Sequence, residues 1–344
     1  MFGFEDILNR RAPDFEQFLA VLRRGKPRRP VFYEIFLERH LVEKIGAGTV
    51  FDGSIEQFKG FLRASQMLGY DYMSIHASSY GFPTQRDQRR QKSLSLNDGA
   101  VIGDWESFEK YPWQDPVATY RGRLEALEPL LPEGMKFVVM CPGGVLENAI
   151  RLVGFDQLCY MLADDPDLAA AIFDRIGTGL IRYLETIAQY DCVGALLSND
   201  DWGFKTQTML SHKDMRRYVF PYHKRIVETA HKAGKPALLH SCGCLVPVMD
   251  DVIDDIGFDA KHSFEDTIQP IEEAYETYHN RIALLGGVDM DFLCRSTPEA
   301  VYRRSCALLE RTGSQGYALG SGNSLPSYVP YENYCAMMAA GLGL

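Results

Sequence analysis

The sequence predicts an α/β protein, a single (β/α)8 TIM barrel over residues 1–344 with an N-terminal helical extension and a long loop after strand two. Three observations predict it. Eight short β-rich runs alternate with longer segments of helical period. Each run is nearly continuously apolar, as expected of parallel strands covered on both faces. The length, 344 residues, suits one elaborated barrel, and no internal repeat or low-complexity tract breaks the pattern. An open doubly wound sheet is the competing architecture.

The runs are PVFYEIFL (30–37), YDYMSIHA (70–77), KFVVMCP (136–142), CVGALLS (192–198), PALLHSC (236–242), FDAKHSF (258–264), IALLGGVD (282–289) and GYALGSG (316–322). Between them several helix boundaries are marked. Asp165 before Pro166 reads as an N-cap with proline at the first helical position, followed by a stripe of Leu168, Ile172, Ile176, Leu180 and Leu184. Ser211 and Asp214 form a capping-box pattern for a helix that Gly234 closes, with Pro221 expected to kink it. Thr297-Pro298-Glu299 opens a helix that ends at Gly313. Residues 78–118 break the alternation. A connection of that length at the C-terminal side of a barrel strand reads as an active-site lid, and Tyr80, Phe82, Trp105 and Trp113 argue that it is ordered. Its basic cluster, Arg86, Arg89, Arg90 and Lys92, reads equally as a solvated loop or as an anion contact.

Composition excludes several function classes. The formal charge of −10 speaks against nonspecific binding to nucleic acid or an anionic membrane. No apolar run can span a bilayer, and the acidic N-terminus lacks the features of a signal peptide, so the expected location is the cytoplasm. Of eight cysteines, Cys159, Cys192, Cys306 and Cys335 fall in apolar periodic segments and read as small core residues.

The sharpest local pattern is LLHSCGC (238–244). On a strand, His240 and Cys242 are two apart and share a face, so the strand end delivers an imidazole and a thiol together. That pair suits zinc, which accepts both donors, although a structural His–Cys pair reads the same way in isolation. A third protein ligand is then needed. Cys244, Glu147 and Asp201 are candidates for it, Asp201 slightly favoured among the strand-end residues Asp200, Asp201, His262, Asp289, Glu34 and His76; Asp201, Asp289 and His262 are also candidates for catalytic roles. Tyr33, His76 and Asp200 are candidates for cofactor contact, with Asp200 alternatively capping a turn; Glu34 is a further carboxylate near a strand end. The same His–Cys pair could serve a cysteine hydrolase, but such enzymes draw the two groups from separate segments.

The segments PALLHSCG, AKHSFED, GGVD with TPEAV, and GSGNSLPSYVPYENYCAMM together resemble the uroporphyrinogen decarboxylase superfamily, most strongly over 190–340. The resemblance implies a (β/α)8 barrel and one of two activities. Decarboxylases of the superfamily carry an arginine-rich RQAGR signature after the first strand; here the stretch is FYEIFLERH, with Glu34 in place of a cation and Arg39 the only nearby base. The other branch, similar to methylcobamide:coenzyme M methyltransferases, moves a methyl group between a corrinoid protein and a thiol or folate. Its thiol-activating members hold zinc with an H-x-C pair, matched by His240 and Cys242, and a late cysteine. That cysteine falls here at Ser321, and Cys335 lies too far along the last helix to replace it.

The resemblance therefore implies a corrinoid-dependent, zinc-assisted methyltransferase of one-carbon metabolism with altered ligation. Its partner would be a corrinoid protein, because the chain lacks the DxHxxG pattern that supplies a cobalt-ligating histidine. The other partner would be a small-molecule methyl donor or acceptor. A homodimer is allowed but not specified. A porphyrinogen-type carboxy-lyase and a non-catalytic small-molecule-binding barrel stay open as alternatives.

Overall fold

Seven strands pair side by side in chain order, all parallel: β1 Tyr72–Ile75, β2 Lys136–Met140, β3 Val193–Asn199, β4 Ala237–His240, β5 Ala260–His262, β6 Ala283–Leu285 and β7 Tyr317–Ala318. The structure, a computed structural model, describes residues 2–84 and 95–344. The sheet curls into a half-barrel consistent with a TIM-like barrel. Helices follow the strands and cover the sheet, which is why β2 and β4 are buried along almost their whole length. No helix among the described residues is long and apolar enough to cross a membrane.

The expected first strand, 30–37, contributes one parallel bridge, Phe32 to Leu319 beside β7, rather than a strand. Its physical reason lies in the hydrogen bonds. Pro30 has no N–H to offer a ladder. The Tyr72 hydroxyl accepts from the Glu34 N–H (2.9 Å) and donates to the Glu34 carbonyl (2.7 Å), so a side chain takes the main-chain groups that a strand neighbour would use. His240 consequently ends the fourth observed strand and not a fifth. The other runs are shortened rather than lost; β6 stops at Leu285 because Gly286 and Gly287 turn the chain at positive φ (75° and 105°).

The N-terminal extension forms two helices, Phe4–Ile7 and Phe15–Leu22. Phe18 from the second stacks on Tyr72 (4.8 Å) and faces Tyr33 (6.0 Å), filling the half-barrel with aromatic rings. The marked helix boundaries match the observed caps. Asp165 accepts from Leu168 N–H, Ser211 from Asp214 N–H, Thr297 from Ala300 N–H, and Gly313 closes its helix at φ 55°. Pro221 is absorbed by a π-helical turn, Met215–Val219, which relieves the missing N–H just before the helix Phe220–Lys232.

Within 78–118 the described residues include short helices at Trp105–Lys110 and Pro116–Thr119. Tyr80 stacks on Tyr183 of the helix Pro166–Ile187, and Phe82 meets Trp113 edge-on, whereas Trp105 is exposed. Arg86, Arg89, Arg90 and Lys92 lie outside the described residues. Cys192 and Cys335 are buried as expected, but Cys159 is exposed and Cys306 only half-buried, because both sit on outward helix faces.

Candidate metal centre

Adjacent strand exits are brought together by register. Asn199 pairs with His240, and His240 with His262, so β3, β4 and β5 end level. Past those ends the β3 and β4 loops are laced to each other: Asp200 N–H donates to the His240 carbonyl, Gly203 N–H to the Cys242 carbonyl, and Cys244 N–H to the Phe204 carbonyl. This approach requires Gly243, whose φ is +82° and whose added Cβ would lie 2.1 Å from the Gly203 oxygen. The lacing carries the Asp201 carboxylate onto the Cys242 N–H at 2.8 Å.

As a result Asp201, His240 and Cys242 each offer a ligand atom, all within 4.8 Å of one another. His240 Nε2 is 3.6 Å from Cys242 Sγ and 3.9 Å from Asp201 Oδ1. A tetrahedral zinc with Zn–N near ~2.0 Å and Zn–S near ~2.3 Å separates N and S by about 3.5 Å, so the observed spacing needs little adjustment. Asn323 Nδ2 donates to the same sulfur at 3.2 Å.

The lone pair needed on His240 is set by a relay. The Ser321 carbonyl can only accept, so His262 Nε2, 3.0 Å away, carries a hydrogen. Burial pushes His262 down to about 3, so the ring is neutral and its Nδ1 is an acceptor. His240 Nδ1, 2.8 Å from it, must donate, and burial holds His240 neutral as well. That leaves His240 Nε2 unprotonated and facing the sulfur. Gly286 permits the relay: a Cβ there would sit 2.2 Å from the Ser321 oxygen and 2.9 Å from His262 Nε2.

Without a cation the anionic donors are uncomfortable. Burial, then Asp201, pushes the Cys242 thiol up to about 12, and partial burial raises Asp201. A divalent ion reverses that balance. One imidazole lone pair, one thiol and one carboxylate therefore fit zinc with a fourth position for a ligand. Lys261 is buried nearby, donating to the Ser263 carbonyl at 2.6 Å, and burial pulls it down to about 8.

The other expected residues have different placements. Cys244 and Glu147 fall outside the close ligand group. Glu147 accepts from Asn199 Nδ2 at 3.1 Å, and burial with Asp200 and Asp201 pushes it up to about 8. Asp200 caps the helix Val145–Val153, accepting from Leu146 and Glu147 N–H at 3.0 and 2.8 Å, and also meets His223 Nε2 at 2.8 Å. Asp289 caps the helix Met290–Arg295 through Phe292 N–H and accepts from Asp266 N–H. Tyr33 packs edge-on against His262 at 4.9 Å, and His76 is exposed at the end of β1. Ser321 is no ligand: its hydroxyl and N–H are bound by Glu34, at 2.5 and 2.9 Å. Sequence reasoning missed Asn323 and His223; His223 lies on the buried stripe of its helix with Phe220, Ile226 and Val227, a polar residue on an apolar face.

The family model for uroporphyrinogen decarboxylase (URO-D) matches residues 101–341, well over half of the chain. Curated uroporphyrinogen decarboxylases of Anaeromyxobacter dehalogenans (strain 2CP-C) and Anaeromyxobacter sp. (strain Fw109-5) are 26% and 25% identical over 187 and 188 residues, covering 54% of this chain and 51% of each relative. The chain spans about half the length of the curated relatives it matches. A methyltransferase from Methanosarcina mazei has the same fold, with a TM-score of 0.74 over 96% of this chain and 98% of that one, at 17% identity. By the match over 101–341, this chain belongs to the uroporphyrinogen decarboxylase family.

Proposed function

We propose that the chain is a zinc-assisted methyltransferase that moves a methyl group between a corrinoid carried by a partner protein and a small thiol. The observation that carries this reading is His240 Nε2 held 3.6 Å from Cys242 Sγ, with the Asp201 carboxylate as the third donor. Zinc bound there lowers the pKa of a substrate thiol and supplies a thiolate at neutral pH. The chain's own residues do the rest. His262 and the Ser321 carbonyl hold His240 in its ligating tautomer, and Asn323 donates to the Cys242 sulfur, which tempers its negative charge.

The curated relatives are decarboxylases, which favours a carboxy-lyase as the second reading. Against it, the position where that chemistry wants a cation holds Glu34, buried and bound to Ser321. Incubation with methylcobalamin and a panel of simple thiols separates the two. The methyltransferase reading expects metal-dependent loss of the methylcobalamin absorbance that Cys242→Ser abolishes. Metal-independent carbon dioxide release from a porphyrinogen, with methylcobalamin untouched, would overturn it.

A further inference from the structure

Because the segment 30–37 does not pair with β1, the wall between them holds a cavity of about 410 Å3. That volume lies in the ~300–1,000 Å3 range of small-molecule sites. One side is the edge of β1; the other is the helix Ile55–Met67, which contributes Phe58 and Phe61. Lining residues run from Tyr70, just before β1, through the strand to His76 just past it, so the space is a slot between a strand edge and a helix, with aromatic side chains on both walls. Such walls suit a flat ring.

Its C-terminal end carries Arg123. This guanidinium lies 4.5 Å over the Phe58 ring, and its Nη1 donates to the His76 and Ser78 carbonyls, which fixes its position. Among the described residues its Nε and Nη2 have no hydrogen-bond partner and no carboxylate pairs with it. Burial pulls its pKa down, so an incoming anion would relieve an uncompensated, half-buried charge. Carboxylate geometry matches two adjacent guanidinium N–H groups. Ser74 Oγ in the same wall is also without a partner among the described residues.

We propose that this cavity is a binding site for a small aromatic carboxylate, its ring between Phe61 and the β1 edge and its carboxylate on Arg123 Nε and Nη2. The site is separate from the zinc reading and stands whether or not the centre holds metal.

Calorimetric titration of the full chain with 2-naphthoate, 2-naphthamide and acetate tests it. Naphthoate is expected to bind one per chain, at least tenfold tighter than the uncharged amide, with no saturable binding of acetate. Arg123→Met should erase the tenfold preference while the amide still binds, and Arg123→Lys should keep part of it. Phe61→Trp, which fills the slot, should weaken both ring ligands and so covers the case in which Arg123→Met fails to fold. Three results would overturn the proposal: equal affinity for acid and amide, a preference unchanged in Arg123→Met, or no saturable binding of either ring compound at millimolar concentration. Loss of binding in Cys242→Ser with Phe61→Trp unaffected would also overturn it, by moving the ring to the metal centre.

Discussion

His240 and His262 meet nitrogen to nitrogen, Nδ1 to Nδ1 at 2.8 Å, so one proton shared by two buried rings decides which face of His240 can bind a cation. A second-sphere partner of this kind is worth about 10–100-fold in metal affinity. His262→Leu should lower zinc affinity by that factor in competition with a chromophoric chelator. His262→Gln, whose amide can both accept from His240 and donate to the Ser321 carbonyl, should recover part of it. Equal affinity in all three proteins would remove His262 from the centre.

Gly286 sits at φ +75° with no room for a Cβ between the Ser321 oxygen and His262. Gly286→Ala should therefore destabilise the fold by about 1–3 kcal/mol and weaken zinc binding at the same time. Denaturant titration and metal competition on the same preparation check both effects. A variant with normal stability and normal affinity would contradict the relay geometry.

Two adjacent carboxylates should separate cleanly. Asp200 holds two backbone N–H groups and His223 in a fully buried site, so Asp200→Asn should cost on the order of 1–3 kcal/mol in stability yet leave zinc bound. Asp201 is a third exposed and faces the ligand atoms, so Asp201→Asn should weaken zinc binding with little effect on unfolding. The reverse pattern would exchange their roles.

Burial raises Glu34 from 4.5 to about 7, against the opposing bonds from Ser321. The folded chain thus holds a proton that the unfolded chain has lost between those values. The stability Glu34 contributes is complete below pH ~4.5 and falls as pH rises through about 7, by roughly 3 kcal/mol at most. Wild type minus Glu34→Gln, measured by denaturation from pH 4.5 to 8, should decline over that window and level off above it. A flat difference would mean that Glu34 titrates alike in the folded and unfolded chain.

Much of this was legible in the residues. Capping patterns at Asp165, Ser211 and Thr297 fixed helix starts because local side chain to backbone bonds decide them. The His240–Cys242 pair was legible because strand period alone puts both on one face. The gap at residues 30–37 was not, since it depends on the Tyr72 hydroxyl reaching Glu34 across 38 residues. The preference for Asp201 over Asp200 was legible only as a slight one, because the deciding geometry depends on the β3 and β4 loops being laced through Gly203 and Gly243. The Ser321 contribution is a backbone carbonyl, which any residue could supply and no motif records.

Asp201, His240 and Cys242 together are arranged to hold one zinc. Metal analysis of the purified chain, paired with X-ray absorption at the zinc edge, tests it most directly. The expected result is about one zinc per chain with a single sulfur at ~2.3 Å and nitrogen or oxygen donors at ~2.0–2.2 Å, the sulfur vanishing in Cys242→Ser. A metal-free protein after zinc-replete purification, or a bound zinc whose shell keeps its sulfur in Cys242→Ser, would contradict it.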